Sequence, residues 1–307
     1  MKKCVVIYNS HSGIKKYDIE NVEADFNPIL IKYGYTASYF KSKYKGSVTD
    51  IVQSLDNDID LVISIGGDGT FNESMVGNFN REHKLVLAHL PTGTTNDVGK
   101  MYGYGRDLLK NLTLLLEGEI RTVDICTLND EPFVYVSGFG KFLNIPYETS
   151  RKQKKTFGYL AYLSTGFREF FNRPTFYDLS YEVNEKEYSG TYSMMFATNS
   201  TRIAGLQNIF TNIKLDDGLF EVLLCDIKKK KELVKALMYL ATNDISNVPG
   251  LYYYKTDKIV IKNPNSKKIV WDVDGEKKIT EEERIEIKLS KVDLMIPSVN
   301  INKLFTK

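Results

Sequence analysis

Two stretches of this chain have the residue types and spacing for chemistry on a phosphate, and a third is an acidic loop to set beside them. The first is Gly66-Gly67-Asp68-Gly69-Thr70-Phe71-Asn72-Glu73. It follows an apolar, β-branched run that reads as a buried strand, and precedes helical spacing at Phe71, Met75, Val76 and Phe79. Strand, glycine turn, helix start is the order that leaves backbone N–H groups at a helix N-terminus, where an anion is favoured. Glycines there permit positive φ and a close approach of backbone to phosphate. Asp68 cannot serve to attract that phosphate; it holds a metal, accepts a hydroxyl proton or holds the turn. A tight turn after a parallel strand is the bland alternative.

The second stretch is Asp272-Val273-Asp274-Gly275-Glu276, after another strand-like run. Period-two spacing places its three carboxylates on one face. Carboxylates that close do not all ionise unless a cation or a basic group joins them. Mg²⁺, held by a carboxylate or two and by substrate phosphates, meets that need, and a solvated acidic turn is the alternative. The third stretch, Lys214-Leu215-Asp216-Asp217-Gly218-Leu219-Phe220, reads from its residues only as a turn opening the next strand.

The elements that must position these residues fall into two textures. Cys4–Tyr8, Thr36–Phe40, the run before Gly66, and Leu85–Leu90 read as strands. Helical spacing intervenes at Ile19, Val22, Phe26, Ile29 and Leu30, again over Val48–Leu55, and later at Leu108, Leu109, Leu112, Leu115 and Leu116. Such alternation with short loops predicts a parallel sheet covered on both faces. Ligands of such sheets bind beyond the carboxyl ends of the strands. Three polar loops fall there: Asn9 to Gly13, Gly66 to Asn72 and Pro91 to Asp97. From about Thr122 the strands come in succession, beginning with a hairpin signal at Asn129-Asp130-Glu131-Pro132. Runs at Phe176–Val183, Tyr188–Thr198, Leu219–Asp226, Tyr252–Lys262, Lys268–Val273 and Arg284–Leu289 follow, with helical stretches only at 158–171 and 230–241. That texture predicts a mostly antiparallel second domain.

Composition narrows the classes. Lys and Arg number 41 against 39 Asp and Glu in 307 residues, so no basic field argues for nucleic acid. Cys4, Cys126 and Cys225 are far apart, without metal spacing, which suits thiols of a reducing cytoplasm. No apolar run approaches a membrane span, and the N-terminus lacks a signal-type apolar region. The expectation is a cytoplasmic protein. Nucleotide fingerprints fail: Gly93 to Lys100 has the wrong spacing for a Walker loop, Met101 stands where Ser or Thr belongs, and no GxGxxG opens a helix. His83 and His89 read as structural, and His11 as a weak candidate for a phosphate contact.

The loop Gly66-Gly67-Asp68-Gly69-Thr70 with Asn72-Glu73, followed by Pro91-Thr92-Gly93-Thr94-Thr95-Asn96-Asp97, resembles the diacylglycerol kinase catalytic domain. The likeness is greatest to the soluble bacterial diacylglycerol kinase-like lipid kinases and extends over nearly the full chain. The first loop is shared with NAD kinases; the second discriminates. The resemblance implies ATP bound by these loops, with Asn9, Ser12 and Gly13 at the phosphates or their metal and Ser42 near the nucleotide. Gly66, Gly67, Asp68, Gly69, Thr70 and Asn72 would hold the triphosphate, and Thr94 would help close the pocket. It further implies Asp274 as a catalytic aspartate, Glu276 as general base and Asp68 as a third acidic partner across the cleft. A structural Mg²⁺ would sit on the Asp217 side chain and the Lys214 and Leu219 carbonyls. Two departures are visible: Ser10 stands where the family usually has proline, and Trp271-Asp272 differs, so Asp272 inherits no role.

The resulting expectation for the fold is an α/β N-terminal domain with a parallel sheet, like NAD kinase and diacylglycerol kinase. A mostly antiparallel, β-sandwich-like second domain follows. Residues 1–123 would form the first domain and 124–297 the second, with 298–307 rejoining the first. The expected function is an ATP- and Mg²⁺-dependent lipid kinase, most specifically converting diacylglycerol to phosphatidic acid. Rivals are a NAD kinase-like enzyme, an isoprenoid or sphingoid kinase, and a catalytically silent lipid-binding regulator. Tyr147-Glu148-Thr149, and Lys141 where broader lipid kinases carry Asp, resemble the diacylglycerol-specific branch. The expected partner is a lipid substrate at a membrane surface, met transiently through basic runs such as Arg151-Lys152-Gln153-Lys154-Lys155 or Lys228 to Lys231. Neither nucleic acid nor a transmembrane segment is expected, and a homodimer stays open.

Overall fold

In a computed structural model that describes residues 1–9, 19–140, 176–203, 206–207, 210, 212–229, 232, 248–263 and 267–306, strand and helix alternate from Lys2. The first strands are β1 (Lys2–Asn9), β2 (Tyr35–Ser42), β3 (Leu61–Gly66) and β4 (Leu87–Pro91). Between and after them come α1 (Val22–Lys32), α2 (Ser47–Ser54), α3 (Asp68–Phe79), α4 (Asp97–Met101) and α5 (Leu108–Leu116). Every residue of β3 and β4 is buried, which is why both read as mainly apolar runs, interrupted only by Ser64 and His89. On α1 the buried residues Val22, Phe26 and Leu30 recur every four positions and make one apolar stripe. The Asp107 carboxylate caps α5 by accepting from the Lys110 N–H at 3.0 Å.

The chain divides into two units, Met1–Ile125 with Lys214–Asp217 and Ser290–Lys307, and Cys126–Ile213 with Gly218–Leu289. In the first, the strands pair in parallel in the order β2-β1-β3-β4. Because β2 and β3 lie on opposite sides of β1, the order reverses there, and the crevice beyond Asn9 and Gly66 is the topological switch point. A short helix, α6 (Ile301–Leu304), closes the chain.

The second unit is antiparallel. Its strands are β5 (Glu119–Leu128, from Cys126 on), β6 (Glu131–Phe133), β7 (Ser137–Gly140), β8 (Tyr177–Val183), β9 (Lys186–Tyr192) and β10 (Met194–Thr198). Then come the short β11 (Arg202–Ile203) and β12 (Leu206–Gln207), β13 (Phe220–Cys225), β14 (Leu251–Thr256), β15 (Lys258–Lys262), β16 (Ile269–Val273), β17 (Glu276–Thr280) and β18 (Arg284–Ile296). One sheet runs β14-β13-β10-β7-β16-β17, and a second pairs the start of β18 with β15, β8 and β9. Leu179, Tyr181 and Ile259 of one sheet and Phe139, Met195 and Trp271 of the other share a single buried core. The α/β unit with a parallel sheet and the β-sandwich-like second unit are as the sequence predicts.

Several boundaries differ, for physical reasons. Tyr188–Thr198 and Tyr252–Lys262 each read as one run, yet each is two strands in different sheets. At the second corner the Thr256 hydroxyl accepts from the Lys258 N–H and donates to the Lys258 carbonyl, replacing ladder bonds where the chain turns. Strand β18 runs seven residues beyond the expected Leu289, and β17 was not anticipated. The helical stretches 158–171 and 230–241 lie outside the described residues, apart from Glu232, as do Lys141, Tyr147-Glu148-Thr149 and the basic run 151–155.

His89 on β4 is 3 % exposed, stacks on Phe71 at 4.9 Å and pairs Nδ1 with the Ser64 hydroxyl at 3.3 Å. Burial pushes its pKa down to about 3 from an ordinary 6.5. The folded protein therefore keeps His89 neutral at pH values where the unfolded chain binds a proton, so stability falls as pH drops from about 6.5 towards 3. Urea unfolding at pH 7 and pH 4 should show a loss of roughly 3 kcal/mol that His89→Gln abolishes. An unchanged acid dependence in that variant would remove His89 from the account.

Candidate active site

The loop after β3 is tighter than a free glycine turn. Gly67 is the N-cap of α3, so Asp68, Gly69 and Thr70 already form its first turn. None of Gly66, Gly67, Gly69 or Gly93 has a positive φ, so the expectation on that point does not hold. Their lack of side chains serves packing instead. A Cβ on Gly66 would sit 2.2 Å from the Thr70 hydroxyl, and one on Gly93 would sit 2.7 Å from the Gly67 Cα. The two polar loops abut at bare backbone, joined by the Thr92 N–H donating to the Gly66 carbonyl at 2.6 Å.

Asp68 completes that junction. Its two carboxylate oxygens accept from the backbone N–H groups of Asp97, at 3.0 Å, and Val98, at 3.1 Å. The carboxylate thus satisfies donors that open α4. Of the three roles open to Asp68 from sequence, holding the loops is the one seen directly in its hydrogen bonds.

Beside this junction lies a cavity of about 420 Å³, lined by Asn9, Ser42, Lys43, Tyr44, Lys45, Val48, Gly67, Gly69, Thr70 and Glu73. It opens where β1, β2 and β3 end, at the switch point, with the start of α3 on one side. Among the described residues, no atom outside Gly69's chain neighbours and its own helix backbone comes within 4 Å of where its Cβ would be, so the first turn of α3 is bare at that point. Five of the expected phosphate-site residues line this cavity: Asn9, Ser42, Gly67, Gly69 and Thr70. Gly66 is buried beneath it, Asp68 turns to α4, and Asn72 and Thr94 are not among its lining residues. Ser12, Gly13 and His11 lie outside the described residues.

Sequence reasoning missed Glu73 and the Lys43–Lys45 loop. Glu73 accepts from the N–H groups of Gly46, at 3.0 Å, and Val48, at 3.2 Å, holding the N-terminus of α2. Arg81 holds the other end, donating through Nη1 to the carbonyls of Val52, Gln53 and Leu55. Negative at the N-terminus and positive at the C-terminus is the favourable arrangement for the helix dipole. The signal was available in Gly46-Ser47 opening the Val48 helix, but long-range caps leave no periodicity to read.

In the second unit the acidic stretch is a hairpin. Asp274 and Gly275 both have positive φ, 51° and 87°, the mark of a two-residue type I′ turn between β16 and β17. The chain reverses there, so the three carboxylates do not share a face. Glu276 pairs with Val273, while Asp272 pairs with Lys277 on the opposite face. Asp272 accepts from the Gly275 N–H at 2.8 Å. Asp274, 7 % exposed, accepts from the N–H groups of Val134, Tyr135 (2.9 Å) and Val136 (3.1 Å). Glu276 is exposed.

For the expected metal loop, the Lys214 ammonium donates to the carbonyls of Asn302, Lys303 and Phe305, capping α6. Asp216 accepts from the Thr306 N–H and hydroxyl. The Leu215 carbonyl accepts from the Asp124 N–H at 2.7 Å. Among the described residues no three His, Cys, Asp or Glu side chains gather to hold a metal.

A bare helix N-terminus at the switch point of a parallel sheet is a place where a phosphate is favoured. Residues 3–128 match the family model described as the diacylglycerol kinase catalytic domain. A diacylglycerol kinase of Staphylococcus saprophyticus subsp. saprophyticus is 27% identical over 276 residues, 90% of this chain and 89% of that one. A diacylglycerol kinase of Staphylococcus aureus strain MRSA252 is 28% identical over 276 residues, 90% and 86% of the two chains. A crystal structure of a diacylglycerol kinase from Bacillus anthracis str. Sterne superposes with a TM-score of 0.76 at 20% identity, over 98% of both chains. By these comparisons the chain is a kinase phosphotransferase similar to diacylglycerol kinases, with the likeness to the family model lying in residues 3–128.

The loop junction makes two glycines behave oppositely. Gly93→Ala forces backbone apart and should lower stability by about 2 kcal/mol in urea titration. Gly69→Ala meets no atom of the described residues beyond its neighbours and its own helix and should leave the urea midpoint unchanged, while its methyl intrudes on the cavity and weakens nucleotide binding. Equal unfolding midpoints for the two variants would refute the packing account.

Proposed function

We propose that this chain is an ATP- and Mg²⁺-dependent kinase that transfers the γ-phosphate to the hydroxyl of diacylglycerol, giving phosphatidic acid. The observation that carries the reading is the cavity at the strand ends, framed by the bare first turn of α3, in a chain that aligns with diacylglycerol kinases along most of its length. Gly67, Gly69 and Thr70 present the positive end of α3 to the phosphates, with Asn9 and Ser42 on the facing strand ends. Phosphoryl transfer needs chiefly position and charge neutralisation, and Mg²⁺ supplies charge between the phosphates.

Glu276 suits the general base because it is exposed at the start of β17, whereas Asp274 is buried on three backbone donors. Asp274 then acts by fixing the hairpin that carries Glu276, and Asp68 by fixing the loop junction. The oxygen set of Asp217 with the Lys214 and Leu219 carbonyls is of the kind Mg²⁺ accepts, and the Lys214 ammonium is turned away to α6. The lipid is met at a membrane surface; among the described residues no helix is long and apolar enough to cross one.

Purified protein should be offered labelled ATP with dispersed diacylglycerol or with NAD. Label extracted into the organic phase is the expected result; label only in the dinucleotide would make the chain a NAD kinase. The two acids should separate by variant. Glu276→Gln should lower kcat by about 10²–10⁴ and leave the urea midpoint in place. Asp274→Asn should cost about 2–4 kcal/mol of stability. A stable Asp274→Asn protein, or a fully active Glu276→Gln protein, would overturn the assignment.

A further inference from the structure

The cavity wall opposite the α3 N-terminus is the segment Ser42–Gly46 between β2 and α2, and among the described lining residues it carries the positive charge. Among the described lining residues, Lys43 and Lys45 are the only cations, while Glu73 is an anion already bound to backbone. A nucleoside triphosphate brings several negative charges, more than a helix N-terminus of about half a unit charge can balance. We propose that Lys43 and Lys45 are direct phosphate contacts of the nucleotide and that Glu73 is the positioning residue that sets them. The proposal rests on the kinase reading above.

The segment is built to hold a fixed course. The Ser47 hydroxyl accepts from the Lys43 N–H at 3.1 Å and pairs with the Ser42 hydroxyl at 2.9 Å. The Tyr44 hydroxyl donates to Asp50 on α2 at 2.8 Å. Gly46, at φ 91°, makes the bend that brings its N–H and that of Val48 onto the Glu73 carboxylate. Thr49 donates its hydroxyl to the Glu73 carbonyl at 3.0 Å, so α2 and α3 are tied at both backbone and side chain. Both lysine backbones are therefore rooted on a braced turn while their side chains are exposed. An ammonium on a flexible stem, rooted this way, acts as a point charge for phosphate.

Equilibrium binding of ATP, ADP and AMP to the whole protein, at low and high salt, tests this. In a Lys43→Ala/Lys45→Ala variant, ATP affinity should fall about tenfold for each lysine removed, with a smaller loss for ADP and the least for AMP. Its salt dependence should flatten. Lys43→Arg/Lys45→Arg should restore affinity. Glu73→Ala should raise the KM for ATP about tenfold with a much smaller change in kcat, and Glu73→Gln, which keeps an acceptor, should recover part of it. Equal ATP affinity in wild type and the double alanine variant, or equal losses for ATP and AMP, would overturn the proposal alone. Wild type that binds NAD but no ATP would instead overturn the kinase reading beneath it.

Discussion

A carboxylate bonded to the backbone N–H groups of a neighbouring loop is the interaction on which the site-bearing parts of this protein depend. Asp68 holds the start of α4, Glu73 the start of α2, and Asp274 the Val134–Val136 segment. The cause is general. Loops at strand ends have left the ladder, so their buried N–H groups need other acceptors. A carboxylate supplies two oxygens and charge-assisted bonds, each worth about 1.5–3 kcal/mol. The same bonds that satisfy the backbone also aim it.

The aiming explains the shape of the cavity at the strand ends. With α4 drawn onto Asp68, the Pro91–Asp97 loop presses against Gly67, which requires glycine at position 93. With α2 drawn onto Glu73, the Ser42–Gly46 segment stands as the facing wall. The space between is left by missing side chains on one wall and bounded by long ones on the other. Two acids bonded to backbone thus set the two walls of the cavity.

Most of the architecture was legible because burial leaves periodic traces. Fully buried β3 and β4 appear as apolar runs, the α1 stripe at every fourth residue, and the parallel order through alternation. The cavity was half legible: Asn9, Ser42, Gly67, Gly69 and Thr70 stand in motifs, whereas Lys43, Lys45 and Glu73 matter through contacts 25 or more residues apart in the Glu73 case. Sheet-switching corners were illegible, because the strand-like composition runs unbroken from Leu251 through Asp257 to Lys262 with no glycine or proline between. What marks that corner is a hydroxyl turned onto its own backbone at Thr256, not a change of composition.

The acidic hairpin shows how such a reading goes astray when periodicity is trusted through a turn. Asp272, Asp274 and Glu276, imagined on one extended strand, repel and call for a cation. The Asp274-Gly275 pair is a stronger signal than the alternation, since type I′ turns favour it at both positions of positive φ. Once the chain reverses, Asp272 is bonded to the Gly275 N–H, Asp274 to three backbone donors, and Glu276 emerges on the far strand. Backbone dipoles do the neutralising that the sequence seemed to ask of a metal. Mutual repulsion among these acids therefore gives no argument for Mg²⁺ here. The case for the ion rests on the phosphates of the nucleotide and on the oxygen donors of the Lys214–Leu219 loop.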